Sequence, residues 1–149
     1  MVIKKGITKD RRNEVIDWSF EFFKHLINKP NFSYTVIQKT NWSNSAILVD
    51  ENDKILGVYL LGDTQLKSIL LTDDYNNLKG VEGVLLAVDT SIRGKGWGNK
   101  LKDYPNILGF DYIWGQQFKT LNNLDDWLKR RQLIAVTNDC YITAEFYQK

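Results

Sequence analysis

The sequence predicts a mixed α/β fold, a sheet carrying helices on both faces. Three observations predict it. Short apolar, β-rich runs recur along the chain, other stretches show the three- and four-residue spacing of amphipathic helices, and polar turn-formers or glycines separate them. With 149 residues, 43% of them hydrophobic and 13% aromatic, the chain is long enough to bury one core. It is read as a single domain over residues 1–149.

Residues 2–7 read as a short edge strand, and Thr8 or Asp10 can cap the helix that follows. Val15, Trp18, Phe22 and Leu26 mark that helix, Ile16, Phe23 and Ile27 widen its stripe, and its end is expected near Asn28-Lys29-Pro30. Residues 33–40 alternate weakly, as a strand or an irregular cover would. Runs at 46–49 and 55–60 flank Asp50-Glu51-Asn52-Asp53-Lys54, so two apolar segments joined by polar turn-formers predict a hairpin. Residues 63–79 are mixed and receive no assignment. The continuous apolar run 84–88 predicts a central strand covered on both faces. A short helix over 97–104, stopped by Pro105, and a strand over 110–114 come next. Leu121, Leu124, Trp127 and Leu128 mark a further amphipathic helix, and strands at 133–136 and 141–147 close the chain.

Composition excludes several classes of function. Two prolines and no low-complexity tract exclude disorder as the main state. No apolar run approaches the roughly 20 residues that cross a bilayer. Met1-Val2-Ile3-Lys4-Lys5-Gly6 lacks the apolar core of an export signal, so a cytoplasmic protein without a membrane role is expected. The single cysteine, Cys140, makes no internal disulfide and builds no metal site with the single histidine, His25. Cys140 reads as a small core or strand residue and His25 as a partly exposed surface histidine. Twenty basic against 18 acidic residues, a net charge of +2, give no whole-molecule attraction for nucleic acid.

Glycines carry the chemical signal. Five of the ten lie between Gly80 and Gly98, most densely in Arg93-Gly94-Lys95-Gly96-Trp97-Gly98, which joins a predicted strand to a predicted helix. Glycine there lets backbone N–H groups converge on one space with no Cβ in the way. The first helical turn adds unpaired donors and partial positive charge, and Arg93 and Lys95 add two formal charges. Such a loop suits a phosphate or pyrophosphate; the alternative is a glycine-rich turn with a solvated basic pair. A P-loop is excluded because no Gly-Lys-Ser/Thr ending follows a first glycine at the required distance. A dinucleotide fingerprint is excluded because the glycines are spaced two and two, start well beyond Val88 and follow no parallel βαβ unit.

The segment Glu82-Gly83-Val84-Leu85-Leu86-Ala87-Val88-Asp89-Thr90-Ser91-Ile92-Arg93-Gly94-Lys95-Gly96-Trp97-Gly98 resembles the signature of the GNAT superfamily of N-acetyltransferases. The family's pyrophosphate loop, Gln/Arg-x-x-Gly-x-Gly/Ala, is met by Arg93, Gly96 and Gly98 at a matching distance from the preceding strand. The hairpin with Leu56-Gly57 and the order of elements over nearly the whole chain agree with the family too. The resemblance implies a mostly antiparallel sheet splayed between its fourth and fifth strands, here 81–89 and 109–114, and acetyl-CoA as co-substrate without a metal. It puts the backbone of Leu86, Ala87 and Val88 beside the pantetheine arm. Arg93, Gly94, Lys95, Gly96, Trp97 and Gly98 then surround the pyrophosphate, with Asn99 and Lys100 close by at the helix start. The implied reaction is acetyl transfer to a primary amine, of a small molecule or a protein, by direct attack. An ordinary lysine-type amine is almost wholly protonated at neutral pH, so a base is needed. Glu82, six residues before Val88, stands where a branch of the family that includes histone acetyltransferases carries its general-base glutamate. Burial moves a carboxyl's pKa upward, toward the range of a base; the alternative is a solvated residue at a strand start.

One part of the family pattern is missing. Many members carry a tyrosine in the helix after the fifth strand, to protonate the departing CoA thiolate. No register of residues 121–131 supplies one, because Leu128, Lys129 or Arg130 falls at its place. Tyr141, or else Tyr147, is then the nearest phenol in topology, and water is the alternative. A second reading is a GNAT-fold CoA-binding or interaction protein with little or no transferase activity. The patch Lys129-Arg130-Arg131 reads as a solvated helix end.

Overall fold

The structure is a computed structural model, and it describes residues 1–23, 32–70, 74–75, 77–119, 125 and 128–148. Its strands are β1 (Val2–Lys5), β2 (Ala46–Val49), β3 (Ile55–Gly62), β4 (Gly80–Val88), β5 (Tyr112–Phe118), β6 (Gln132–Val136) and β7 (Cys140–Phe146). They form one sheet in the order β1-β2-β3-β4-β5-β7-β6. The pairs β1–β2, β2–β3, β5–β7 and β6–β7 are antiparallel, and β4–β5 is parallel. The helices are α1 (Arg12–Phe23), α2 (Phe32–Lys39), α3 (Leu66–Leu70), α4 (Trp97–Lys102) and α5 (Tyr104–Ile107), with single 3-10 turns at Lys9–Arg11 and Thr90–Ile92. The mixed, mostly antiparallel α/β fold is therefore the one adopted. The helix predicted from Leu121, Leu124 and Trp127 falls outside the described residues, apart from Asp125 and Leu128, which are helical. His25, Leu26 and the predicted end of the first helix also lie outside them.

Two compact units make up the chain, and β4 contributes to both. The first comprises Met1–Gly62 and Val84–Tyr104. Its core forms where α1 buries Val15, with Trp18, Phe22 and Phe23, against Ile47, Val49, Val58, Leu60, Leu85 and Ala87. Most of the predicted stripe is thus turned inward; each fully buried large apolar side chain contributes about 1.5–3 kcal/mol. On the other face of β3, Gly57 makes room for α4. A Cβ there would lie 3.2 Å from Cδ1 of Leu101 and 3.2 Å from the carbonyl oxygen of Ala87. Because Gly57 and Val58 are neighbours on a strand, α1 and α4 cover opposite faces. The hairpin turn is tied by Asp50, whose carboxylate accepts the N–H groups of Asn52 and Lys54 at 2.8 and 2.9 Å. Residues 33–40 correct the sequence reading: 33–39 are helical, as part of α2, and Thr40 forms an isolated antiparallel bridge with Gly62. Thr35, Val36 and Ile37 are β-branched and suggest a strand, but Val36 is buried while Ile37 is 45% exposed. Thr40 donates its N–H to Val36 at 3.1 Å, a helical bond.

The second unit comprises Asp63–Gly83 and Pro105–Lys149. Leu66, Tyr112, Trp114, Ile142 and Ala144 form its core, joined by Leu70, Tyr75 and Phe146. Gln65 holds the start of β4. Its Nε2 donates to Gly80 O at 2.7 Å, while its Oε1 accepts from the N–H of Gly80 at 3.2 Å and from the Tyr112 hydroxyl at 3.3 Å. Pro105 does not stop a helix as predicted. It is the second residue of α5, within the first helical turn, where no N–H is needed. The fifth strand also runs later than predicted, to Phe118. Gln116 and Gln117 lie beyond the predicted strand, yet β7 pairs them with Ile142 and Tyr141.

Candidate functional site

The chain leaves β4 at Val88 and turns at Asp89. The Asp89 carboxylate accepts the N–H of Ser91 at 2.9 Å, and its own N–H donates to Leu56 O at 2.8 Å. The hydrogen bonds from Ser91, side chain first and backbone second, hold the Asp89 carboxyl below the usual carboxylate range. Ile92 is buried and anchors the turn; Arg93–Gly96 then rise into solvent, and Trp97 and Gly98 are half-buried. Gly96 caps α4 with φ 86° and ψ −3°, a left-handed conformation that L side chains rarely adopt. A Cβ on Gly94, Gly96 or Gly98 would meet no heavy atom within 4 Å. Cations border the loop. The Arg93 guanidinium lies over the Phe22 ring at 5.7 Å, and Lys100 sits over Trp97 at 4.2 Å. Lys95 and Asn99 are exposed. Backbone donors at the start of α4, several positive charges and clearance from side chains together suit the close approach of an anion.

Along β4 the structure separates residues that the sequence grouped. Gly80, Val81 and Glu82 are buried in succession, after which Leu85 and Ala87 are buried and Gly83, Val84, Leu86 and Val88 are half-buried. The expected cover on both faces therefore fails over 83–88. Leu85 and Ala87 enter the core under α1, whereas Leu86 and Val88 remain half-open. Glu82 is 3% exposed and so is no solvated residue at a strand start. It stands in register with Trp114, just as Gly80 stands with Tyr112, on the side of the sheet that carries the Leu66–Trp114 core.

Tyr141 is half-buried in β7, in register with Gln117, with the Lys119 ammonium 5.6 Å from its ring centroid. Tyr147 follows β7, its hydroxyl oxygen buried and its N–H donated to Asp111 O at 2.9 Å. Cys140 is buried, as a core residue would be. The basic patch requires a correction. Arg131 is 8% exposed, with Nη1 3.5 Å from the Thr143 hydroxyl, which itself donates to Gln117 Oε1 at 2.9 Å. Arg130 pairs with Glu145 at 3.1 Å, leaving Lys129 as the exposed member. Strand β7 supplies the partners, Thr143 and Glu145, that turn these arginines inward, and the local sequence holds no sign of that.

Tyr104 was also missed. It is 6% exposed, and its hydroxyl finds no hydrogen-bond partner among the described residues. Burial pushes its phenol up to about 12. The one signal in the sequence is its spacing, three residues after Leu101. Among the described residues there is no group of three or more His, Cys, Asp or Glu able to hold a metal, and no helix long and apolar enough to cross a membrane.

No family model matches the chain, and no curated protein sequence matches it. Solved structures do. The chain is similar to a PaiA N-acetyltransferase from Thermoplasma acidophilum in complex with coenzyme A, with TM-score 0.67 and 10% identity over 99% of this chain and 100% of that one. It is similar to an IAA acetyltransferase from Bacillus cereus, with TM-score 0.63 and 16% identity over 98% and 99%. It is also similar to Tetrahymena GCN5, with TM-score 0.65 and 13% identity over 98% and 96%. The fold of this chain is the GNAT acetyltransferase fold.

Proposed function

We propose that the chain transfers the acetyl group of acetyl-CoA to a primary amine, acting in the cytoplasm on a small molecule or a protein amine rather than on nucleic acid. The observation that carries this reading is the Arg93–Gly98 loop, whose glycines keep a cation-bordered space free of side chains. The residues present fit CoA. Backbone groups of Gly94 to Asn99 would hold its pyrophosphate, Arg93 and Lys95 would balance the charge, and the backbone of Leu86, Ala87 and Val88 would align its pantetheine arm. Trp97 would flank the loop. Bound acetyl-CoA supplies an activated thioester. The chain contributes orientation above all, and Glu82 takes the proton of the attacking amine, directly or through water. Its burial on β4 supports that role. Tyr141 is the phenol assigned to the leaving group, with water as its competitor. A thiol with a pKa near 8.5 needs little help to leave at neutral pH.

A second reading, binding of CoA with little transfer, is favoured by one specific observation: residues 121–131 contain no tyrosine. Calorimetry tests the shared part of both readings. The parent binds acetyl-CoA, and Gly96→Asp or Gly98→Asp abolishes binding by placing a side chain and a negative charge against the phosphates. Equal binding by parent and variants would remove the loop from the site. A panel of peptide, polyamine and aminoglycoside amines then separates the two readings, since a binder acetylates none of them.

A further inference from the structure

We propose that Phe22 is a positioning residue for CoA: its ring sets the Arg93 guanidinium in place before the pyrophosphate arrives. This role rests on the acetyl-CoA reading above and falls to a residue of α1, which the glycine loop motif does not reach. Phe22, Val88 and Arg93 all belong to the first compact unit.

An arginine on an exposed loop has many rotamers open to it, and fixing one of them weakens binding when the ligand docks. Arg93 is exposed, yet its side chain is engaged at two points. Its Nε donates to Val88 O at 3.4 Å, and its guanidinium carbon stands 5.7 Å from the centroid of the Phe22 ring. The second distance is within the roughly 6 Å over which a guanidinium is drawn to the negative face of an aromatic ring. Among the described residues the side chain makes that one hydrogen bond, through Nε. The two Nη groups are left over, and they form the planar fork that matches a pair of phosphate oxygens.

Phe22 can hold a cation because it is itself held. Trp18 stacks on it with 5.3 Å between centroids and 18° between planes, and Phe23 meets it edge-on at 4.9 Å and 66°. All three pack against the core that contains Val15, Leu60 and Ala87, and all three stay half-buried. Packing asks position 22 only for an apolar side chain, and leucine would complete the stripe as well. An aromatic ring adds what leucine lacks, a face of negative potential. Lys95 supplies the contrast. It is exposed on the same loop with no ring beside it among the described residues, so it offers charge without a fixed direction. The turn at Asp89 thus sets the backbone of the loop, and Phe22 sets the one side chain that reaches back from the loop to α1.

Fluorinated phenylalanines at position 22 test this, because they keep the shape of the ring while withdrawing negative charge from its face. Calorimetry with CoA should read affinity falling stepwise as one, two and three fluorines are added, to about fivefold weaker with three. Equal affinity across the series overturns the proposal. Phe22→Leu, which keeps an apolar side chain, weakens CoA binding by a similar factor, and Phe22→Tyr binds as the parent does. An Arg93→Ala background separates positioning from packing. There Phe22→Leu leaves CoA affinity unchanged, because the guanidinium it would have released is gone. A loss that persists without Arg93 makes Phe22 a packing residue and refutes the inference. Should Phe22→Leu fail to fold, the fluorinated series decides alone. A parent that binds no CoA defeats the acetyl-CoA reading as well, whereas CoA bound with an affinity indifferent to fluorination defeats this inference alone.

Discussion

Gly80 and Gly115 in the sheet differ from Gly94, Gly96 and Gly98 in the loop in what a side chain would meet. A Cβ on Gly80 would run into the Tyr112 ring, and one on Gly115 would lie 3.0 Å from Gln117 Nε2 and 3.2 Å from Arg131 Nη1. On the loop glycines it would meet nothing within 4 Å. The sheet glycines are filled by their own neighbours, while the loop glycines hold open room that the chain does not use for itself. Glycine in the first setting serves packing, and in the second it leaves the space that the proposed CoA pyrophosphate would fill. The sequence shows five of them between residues 80 and 98 and does not distinguish the two kinds.

Substitution can break this contrast. Gly80→Ala drives a methyl group into the Tyr112 ring and lowers stability by about 3 kcal/mol, the upper end for overpacking; a denaturation midpoint equal to the parent's would show that the seam yields easily. Glu82→Gln, one step beyond Val81, leaves CoA affinity intact and lowers turnover about 10²-fold, with loss of the acid limb of the pH–rate profile. Full turnover would transfer the base to water or to another residue. Gly98→Ala sharpens the comparison most. It adds the same methyl group as Gly80→Ala but in open space, so stability changes by less than about 1 kcal/mol while calorimetry reads CoA binding about tenfold weaker.

The smallest effect belongs to the turn that launches the loop. Asp89→Ala removes the carboxylate that receives Ser91 N–H and costs about 1 kcal/mol at neutral pH. The folded-state pKa of Asp89 lies below its ordinary 3.8, so its contribution is present above that value and disappears as pH falls through the lower one. Urea midpoints of parent and variant should therefore differ at neutral pH and converge in strong acid. A difference that persists in acid would trace the effect to packing rather than charge.

Legibility followed how locally each feature is determined. The hairpin was readable because two apolar runs flank the polar turn at residues 50–54, and the α1 stripe because Val15 and Trp18 follow the helix period of their own segment. Short α3 was not readable, since only Leu66 of its five residues is buried and one residue makes no period. The reach of β5 over Gln116 and Gln117 depends on β7, a partner more than twenty residues away. The loop announced itself through composition. Glu82 could be placed by resemblance, but its burial could not, because Trp114 and the α3 core come from other segments. Arg131 escaped for the same reason, since Thr143, on another strand, turns it inward.

The contact between Gly80 and Tyr112 has an evolutionary consequence. Two positions whose atoms compete for one volume are not independent, and the order in which they change matters. An alanine at position 80 is tolerated only after Tyr112 has given way to something smaller, whereas the reverse order passes through a clash. Tyr112 also joins Gln65 and Leu66 through its hydroxyl, so the permissive first step loosens the hold on the start of α3 as well. Among relatives of this chain, a larger residue at position 80 should therefore occur in company with a lost ring at position 112, and the two substitutions should appear in that sequence along a lineage.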